Sequence, residues 1–375
     1  MKKKHNVLFL TLSSFCDTGG IQKVCRTMSK ALSDISTETN SALQVFALKD
    51  QTIQADSRYI SSIQFKGFKN QKLLFAFYAI KKSSSHPNVL LSHIHLLPIA
   101  LLIKILRPNT RIILLAHGIE IWGKLSKWKV WFIKQHIQIW CVSHFTAETI
   151  EKKHGIKGQN AFVLNNCLDP YFKIPGILHK PDYLLSHYNL QPEQPILLSI
   201  CRLSSNEHDK GYLQVIRILK RLRERFPTIC YLLGGLPDTE EKAFLQELIR
   251  KENLENHLKL IGFIPEATLT DHYLLCDIFV LPSKKEGFGL VFTEAAAAGC
   301  RIICGNKDGS KEAIANGILG TLIDPEDPET LYQAILSQLE ESETMEMAYA
   351  RQNLCLIYFN YPQYKYHLKN LLDHD

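Results

Sequence analysis

A chain of 375 residues, 46% hydrophobic and 22% charged, is too long for one compact core, too apolar for a disordered segment, and therefore predicts two folded domains. Its formal net charge of +7 is unevenly spread: residues 1–180 carry 25 Lys and Arg against 9 Asp and Glu, and the rest carry 19 against 28. A basic half joined to an acidic half predicts that the first faces something anionic: a membrane surface, a phosphate-bearing substrate or nucleic acid.

In chain order, Lys2 to Lys4 precede "NVLFLTL". The run is too short for a secretion signal and no small-residue cleavage site follows, so it reads as a first core strand. Gly19 and Gly20 come next and open a helix over 20–33. Backbone without a Cβ at the positive end of a helix dipole suits an anion such as a diphosphate, and a plain tight turn explains the pair equally well. "LQVFALK" is the following strand. The most apolar window, 89–106, contains His93, His95, Pro98 and Lys104, and so reads as a buried strand and helix, not a membrane span. His93 and His95 alternate along that strand and share a face, without the third ligand that a metal site requires. "RIILLAHG" is another strand, reaching His117; taken alone, a histidine there reads more often as a hydrogen-bonded core residue than as a functional one.

Residues 122–140, "WGKLSKWKVWFIKQHIQIW", place Lys124, Lys127 and Lys134 in one helical sector. Trp128 and Trp131 fall at its edges, with Leu125, Phe132 and Ile133 farther round. An ordinary amphipathic helix has this pattern, and so does one resting on anionic lipid headgroups; the basic charge of this half favours the membrane. "IWCVS" and "AFVLNN" complete a first set of strands, and a linker is expected near 170–194.

From Ile196 short β-rich runs alternate with amphipathic stretches, the pattern of a parallel sheet with helices on both faces. "ILLSI", "CYLLGG", "LKLIGF", "IFVLPS" and "RIICG" are strands. Helices are expected over 212–226, 240–253 and 269–276, after Gly289, and from Pro328. Two such sheets predict two doubly wound domains, with ligands beyond the carboxyl ends of the strands and in a cleft where the domains face each other. The ten cysteines form no Cys-x-x-Cys pair, and Cys300 and Cys304 lack histidines at zinc-site spacing, which fits the reduced thiols of a cytoplasmic protein.

The residues that carry chemistry follow strands. Arg202 and Lys210 sit after "ILLSI", with Gly211 at a helix start, and two fixed cations there suit the phosphates of a nucleotide. In "EGFGLVFTE", Glu294, placed in the first turn of its helix, suits the two hydroxyls of a ribose, and Glu286 those of a sugar ring. The turn Gly287-Phe288-Gly289-Leu290 gives backbone amides access to phosphate or sugar oxygens.

This glutamate pair, with "GGIQKV", "AHGIEIW", "LNNCLDPYF", "RLSSNEHDKGYLQVI", "GNKDGSKEAI" and "GTLIDPEDPETL" in order, resembles the retaining nucleotide-sugar-dependent glycosyltransferases of family four, surface-polysaccharide type. Asn165 stands where a proline is usual, and Cys300 with Arg301 replaces a small-residue and proline pair. The resemblance implies a GT-B fold: a Rossmann-like acceptor domain over 1–180, a nucleotide-sugar domain over 181–355, and a terminal helix over 356–375 packing back on the first. It implies that Arg202 and Lys210 bind the donor diphosphate, aided by amides near Gly19 and Gly20. Glu286 would hold the transferred sugar, with the backbone of Gly287, Phe288, Gly289 and Leu290; Glu294 would hold the ribose, Phe263 and Ile264 the base, and His117 would stand by the reacting centre.

The implied activity is hexose transfer from a GDP- or UDP-sugar to a lipid-linked or polysaccharide, including lipopolysaccharide, acceptor. Anomeric configuration is retained by front-face attack, without a metal ion, an Asp-x-Asp motif or a cofactor. The expected setting is cytoplasmic and peripheral on the inner face of the cell membrane. A nucleotide-sugar epimerase and a non-catalytic binding protein are the alternatives; nucleic-acid binding is not expected, since no nucleic-acid motif accompanies the charge.

Overall fold

The computed structural model describes residues 5–157 and 160–374; Lys2 to Lys4 lie outside them. The chain forms two compact units, one running to Pro170 and taking up Tyr361 onward, the other Tyr171–Asn360.

The first unit is built on seven parallel strands: β1 (Val7–Thr11), β2 (Leu43–Ala47), β3 (Phe65–Gly67), β4 (Asn88–Leu91), β5 (Arg111–Ala116), β6 (Ile137–Cys141) and β7 (Ala161–Val163). Across the sheet they lie in the order β3-β2-β1-β4-β5-β6-β7. The second unit holds six: β8 (Ile196–Ile200), β9 (Cys230–Gly234), β10 (Leu258–Gly262), β11 (Ile278–Leu281), β12 (Arg301–Gly305) and β13 (Thr321–Ile323). These are also parallel, in the order β10-β9-β8-β11-β12-β13. Helices cover both faces of a parallel sheet, which is why central strands such as Ile278–Leu281 are continuously apolar and wholly buried. Against them, helix Tyr212–Arg225 turns inward Tyr212, Val215, Ile216, Leu219 and Leu222, the three-and-four spacing of one helical face. Each such side chain stabilises the core by about 2 kcal/mol.

Two strands escape the sequence pattern. Both β3 and β13 are three-residue edge strands, half-exposed and too short to display a period.

The unit boundary falls after Pro170, ten residues before the expected one. Asp169 still accepts the Tyr59 hydroxyl at 2.8 Å, which ties it to the first unit. Beyond it, the Lys173 carbonyl accepts from Thr270 at 2.8 Å and Lys180 pairs with Asp277 at 2.9 Å, which commits residues 173–180 to the second. At the other end helix Met345–Tyr358 belongs to the second unit, where Phe359 meets Phe288 edge-on. The last helix, Tyr361–Asp373, returns to the first. It buries Tyr364, Leu368 and Leu372 among Met28, Leu32 and Ile35, and Arg111 donates to the carbonyls of Leu371 and Leu372 at 2.8 and 2.9 Å.

Candidate functional site

In the second unit the strands run outward from β8 on one side and from β11 on the other. The loops leaving their neighbouring carboxyl ends therefore diverge and leave a crevice, the position at which open α/β sheets take ligands. Arg202 and Lys210 occupy the loop after β8, and Glu286 the loop after β11.

Gly211 brings the two loops together. Its φ is +86°, and a Cβ there would lie 2.2 Å from the Pro282 carbonyl oxygen, so only glycine permits this approach. As a result Lys210, 9% exposed, donates through Nζ to Glu286 Oε1 at 2.6 Å. Burial alone would lower the Lys210 pKa, but the charge and hydrogen bond of Glu286 outweigh it and hold the ammonium above its ordinary value. Arg202, largely exposed, donates to Glu207 Oε1 at 2.8 Å, and the Glu207 carbonyl accepts the Lys210 N–H at 3.2 Å. One turn thus fixes both cations.

Asp308, in the loop after β12, holds the Glu286 turn. It is wholly buried, as are Ser283 and Ser310. Its Oδ2 accepts the Glu286 N–H at 2.7 Å and the Ser283 hydroxyl at 2.6 Å; its Oδ1 accepts the Ser310 N–H at 2.9 Å and the Ser310 hydroxyl. Burial pushes its pKa from 3.8 up to about 6, against the pull of both serines. Gly309 completes the stitch, donating to the Glu286 carbonyl at 2.9 Å; a Cβ on it would stand 2.2 Å from the Gly287 oxygen. Neither Asp308 nor the two serines were legible as site residues, although "KDGS" after a strand is the turn signal that marks them.

Gly289, at φ +90°, starts helix Leu290–Ala297. Glu294 lies in its second turn, not the first. It is 3% exposed and accepts the Tyr273 hydroxyl at 2.9 Å. The Phe288 side chain is buried, leaving its backbone as its contribution to the turn. Phe263, 53% exposed, and Ile264, buried, follow β10. Ile264 packs over Gly234 at the end of β9, so close that a Cβ on Gly234 would lie 2.9 Å from its Cδ1.

The first unit has its own switch point, between β1 and β4. Gly19 and Gly20 open helix Gly20–Thr39 after β1; a Cβ at Gly20 would meet nothing within 4 Å, so the fold itself makes no demand for glycine there. His117 follows β5. Its Nε2 lies 2.9 Å from the Ser92 carbonyl, which can only accept, so the proton sits on Nε2. Burial lowers its pKa, with Glu120 and that carbonyl opposing, and Glu120 accepts the His117 N–H at 2.6 Å.

His93 and His95 do not share a strand face. β4 ends at Leu91, and His93 instead caps the short turn Ile94–Leu96 by accepting the His95 N–H at 3.2 Å. Burial, with His95, His117 and Lys129 nearby, pushes His93 down to about 4. Among the described residues no cluster of His, Cys, Asp and Glu is arranged to hold a metal ion, and no helix is long and apolar enough to cross a membrane. The Trp- and Lys-rich helix spans Lys127–His136, leaving Lys124 and Leu125 in the segment before it.

Comparison with known proteins bears on the same residues. Residues 186–353 match the family model for glycosyl transferases group 1. A stretch of 151 residues, 38% of this chain, is 29% identical to a GDP-mannose-dependent alpha-(1-6)-phosphatidylinositol monomannoside mannosyltransferase of Mycolicibacterium smegmatis. A stretch of 159 residues, 42% of the chain, is 30% identical to O-antigen chain mannosyltransferase B of Escherichia coli. These matches span 38% and 40% of the relatives' own lengths. The crystal structure of Anabaena HepE with UDP and glucose superposes with a TM-score of 0.77 at 18% identity, over 99% of this chain and all of that one. That likeness establishes the two Rossmann-like units as a GT-B fold.

Proposed function

We propose that this protein is a glycosyltransferase moving a hexose from a GDP- or UDP-activated donor to a lipid-linked or glycan acceptor, a reading supported by the match of residues 186–353 to the glycosyl transferases group 1 model and by the GT-B fold. The observation that carries the reading is the Lys210–Glu286 contact at the β8/β11 switch point, with Arg202 on the same turn. A diphosphate exchanges with Glu207 on Arg202 and adds to the field of Lys210, while Glu286, held from behind by Asp308, takes the hydroxyls of the hexose. Glu294 and Tyr273 take the ribose, and Phe263 and Ile264 the base. His117, neutral with its proton on Nε2, presents Nδ1 as an acceptor toward sugar or acceptor hydroxyls.

The reaction retains configuration. The acceptor oxygen attacks the anomeric carbon on the face from which the diphosphate leaves; the bond from that carbon to the phosphate oxygen breaks, and the acceptor proton passes to that oxygen. No enzyme carboxylate need act as nucleophile. Arg202 and Lys210 stabilise the negative charge that grows on the departing diphosphate, so the reading requires neither metal ion nor cofactor. Such a protein works on the cytoplasmic side of a membrane bearing its acceptor.

Two substitutions test the assignment. Glu294→Ala should weaken binding of free GDP or UDP by roughly tenfold to a hundredfold, the loss of hydrogen bonds to a charged acceptor. Glu286→Ala should leave free-nucleotide binding intact and lower transfer by at least roughly a hundredfold. Calorimetric titration and a transfer assay separate the two, and wild-type turnover in both variants would remove the assignment.

A further inference from the structure

Three neighbouring helices, Lys72–Lys82, Leu97–Leu106 and Lys127–His136, cover one face of the first sheet. Phe75 and Ala79, Ala100 and Ile103, and Phe132 and Ile133 turn inward onto that face. Helices that have met the core in this way ordinarily show polar side chains to water. These do not. Leu73, Phe77, Ile105 and Leu106 are between 60% and 89% exposed, and Trp128 and Trp131 are 40% and 56% exposed.

The charge on this surface has a single sign. Residues 57–147 contain thirteen Lys and Arg and one carboxylate, Glu120, which faces the backbone N–H groups of His117 and Gly118 at 2.6 and 3.3 Å. None of the three helices carries Asp or Glu, and Lys72, Lys81, Lys127 and Lys134 are exposed. Along the sheet edge beside the first helix runs a groove of about 680 Å³, lined by Lys66, Tyr78, Lys81, Lys82, Ser84 and Ser85 among others and by no carboxylate.

We propose that this three-helix face docks on a bilayer containing anionic lipid. Leu73, Phe77, Ile105, Trp128 and Trp131 enter the interfacial layer, the lysines meet headgroup phosphates, and the groove beside Lys66 and Lys82 holds one of them. The proposal deepens the lipid-linked acceptor reading and rests on it. Apolar burial supplies adhesion and the cations supply selection for anionic lipid. A second copy of the chain is excluded as the occupant by charge, because pairing this face with itself would set lysines against lysines.

Flotation with phosphatidylcholine vesicles, with and without phosphatidylglycerol, tests the proposal. The wild-type chain should float with the anionic vesicles, and less so as salt rises. A variant with Leu73, Phe77, Ile105 and Trp131 changed to Ser, and another with Lys72, Lys81, Lys127 and Lys134 changed to Gln, should each lose roughly a hundredfold in partitioning. Absence of flotation, equal flotation with both vesicle types, or a concentration-dependent dimer abolished by the Ser substitutions would overturn it. Binding of free GDP and UDP, measured on the same proteins without vesicles, serves as the folding control and keeps the two readings separable. Intact nucleotide binding without flotation sinks the surface alone, whereas flotation without nucleotide binding sinks the proposed function alone.

Discussion

Replacing Asp308 by Asn isolates the carboxylate that holds the Glu286 turn. Burial raises Asp308 from 3.8 to about 6. At about 1.36 kcal/mol per unit, a shift of about two units corresponds to about 3 kcal/mol. The folded state binds this proton more tightly than the unfolded chain does. Between those two values the native protein therefore carries more protons, and the stability contributed by this residue falls as pH rises through the window. Below 3.8 the buried charge is absent, and above about 6 it is fully developed. The amide that replaces it in Asp308→Asn is neutral throughout: its oxygen keeps the Glu286 N–H and the Ser283 hydroxyl, while its nitrogen faces the Ser310 N–H, a fixed loss that pH does not alter. The unfolding free energy of wild type minus Asp308→Asn should thus fall by about 3 kcal/mol between about pH 4 and about pH 7. Urea titrations read by far-ultraviolet circular dichroism are the assay. Trp122, Trp128, Trp131 and Trp140 all lie in the first unit, so tryptophan fluorescence would miss the second. Parallel pH profiles for the two proteins would refute the reasoning.

Gly309→Ala should lower transfer by at least roughly tenfold and destabilise the second unit by about 1–3 kcal/mol, because the new methyl meets the Gly287 oxygen; a kinetic and urea comparison at one pH checks it, and an unchanged rate counts against the stitched turn. Lys210→Met should cost about 3 kcal/mol at neutral pH by leaving Glu286 half-buried without its cation, and should also raise the donor KM. Wild-type stability together with an unchanged KM would show that the pair neither supports the fold nor meets the diphosphate.

The legible parts of this protein are those where one residue type has one physical use. Strands buried on both faces read as apolar runs, so "ILLSI", "IFVLPS" and "RIICG" were plain, and helix Tyr212–Arg225 ended within a residue of its expected position. The placement of Arg202, Lys210 and Glu286 in loops that leave the carboxyl ends of β8 and β11 was legible because those two strands were, and such loops border the crevice of a doubly wound sheet. Their mutual contact was not, because the distance between positions 210 and 286 is set by Gly211 packing under Pro282, a fact about backbone clearance. Asp308 was hidden for a related reason. An aspartate in "KDGS" reads as a turn residue, and it becomes a support only when β12 is placed next to β11, so that its carboxylate reaches a main-chain N–H 22 positions earlier. His93 and His95 misled through alternation: two histidines two residues apart share a face only while the strand lasts, and β4 stops at Leu91.

The same logic bears on the outer face of the first unit. Read from one segment, the Trp and Lys residues of 122–140 fit a membrane helix or a solvated one equally. Taken with Leu73, Phe77 and Ile105, exposed on neighbouring helices, they belong to an apolar and cationic set that no single helix displays. Lateral packing of helices, unlike the period within one, leaves no trace in local sequence. The scarcity of acid across residues 57–147, where Glu120 stands alone, is its one linear sign, because a carboxylate anywhere on the three outer faces would oppose the anionic surface they are proposed to meet.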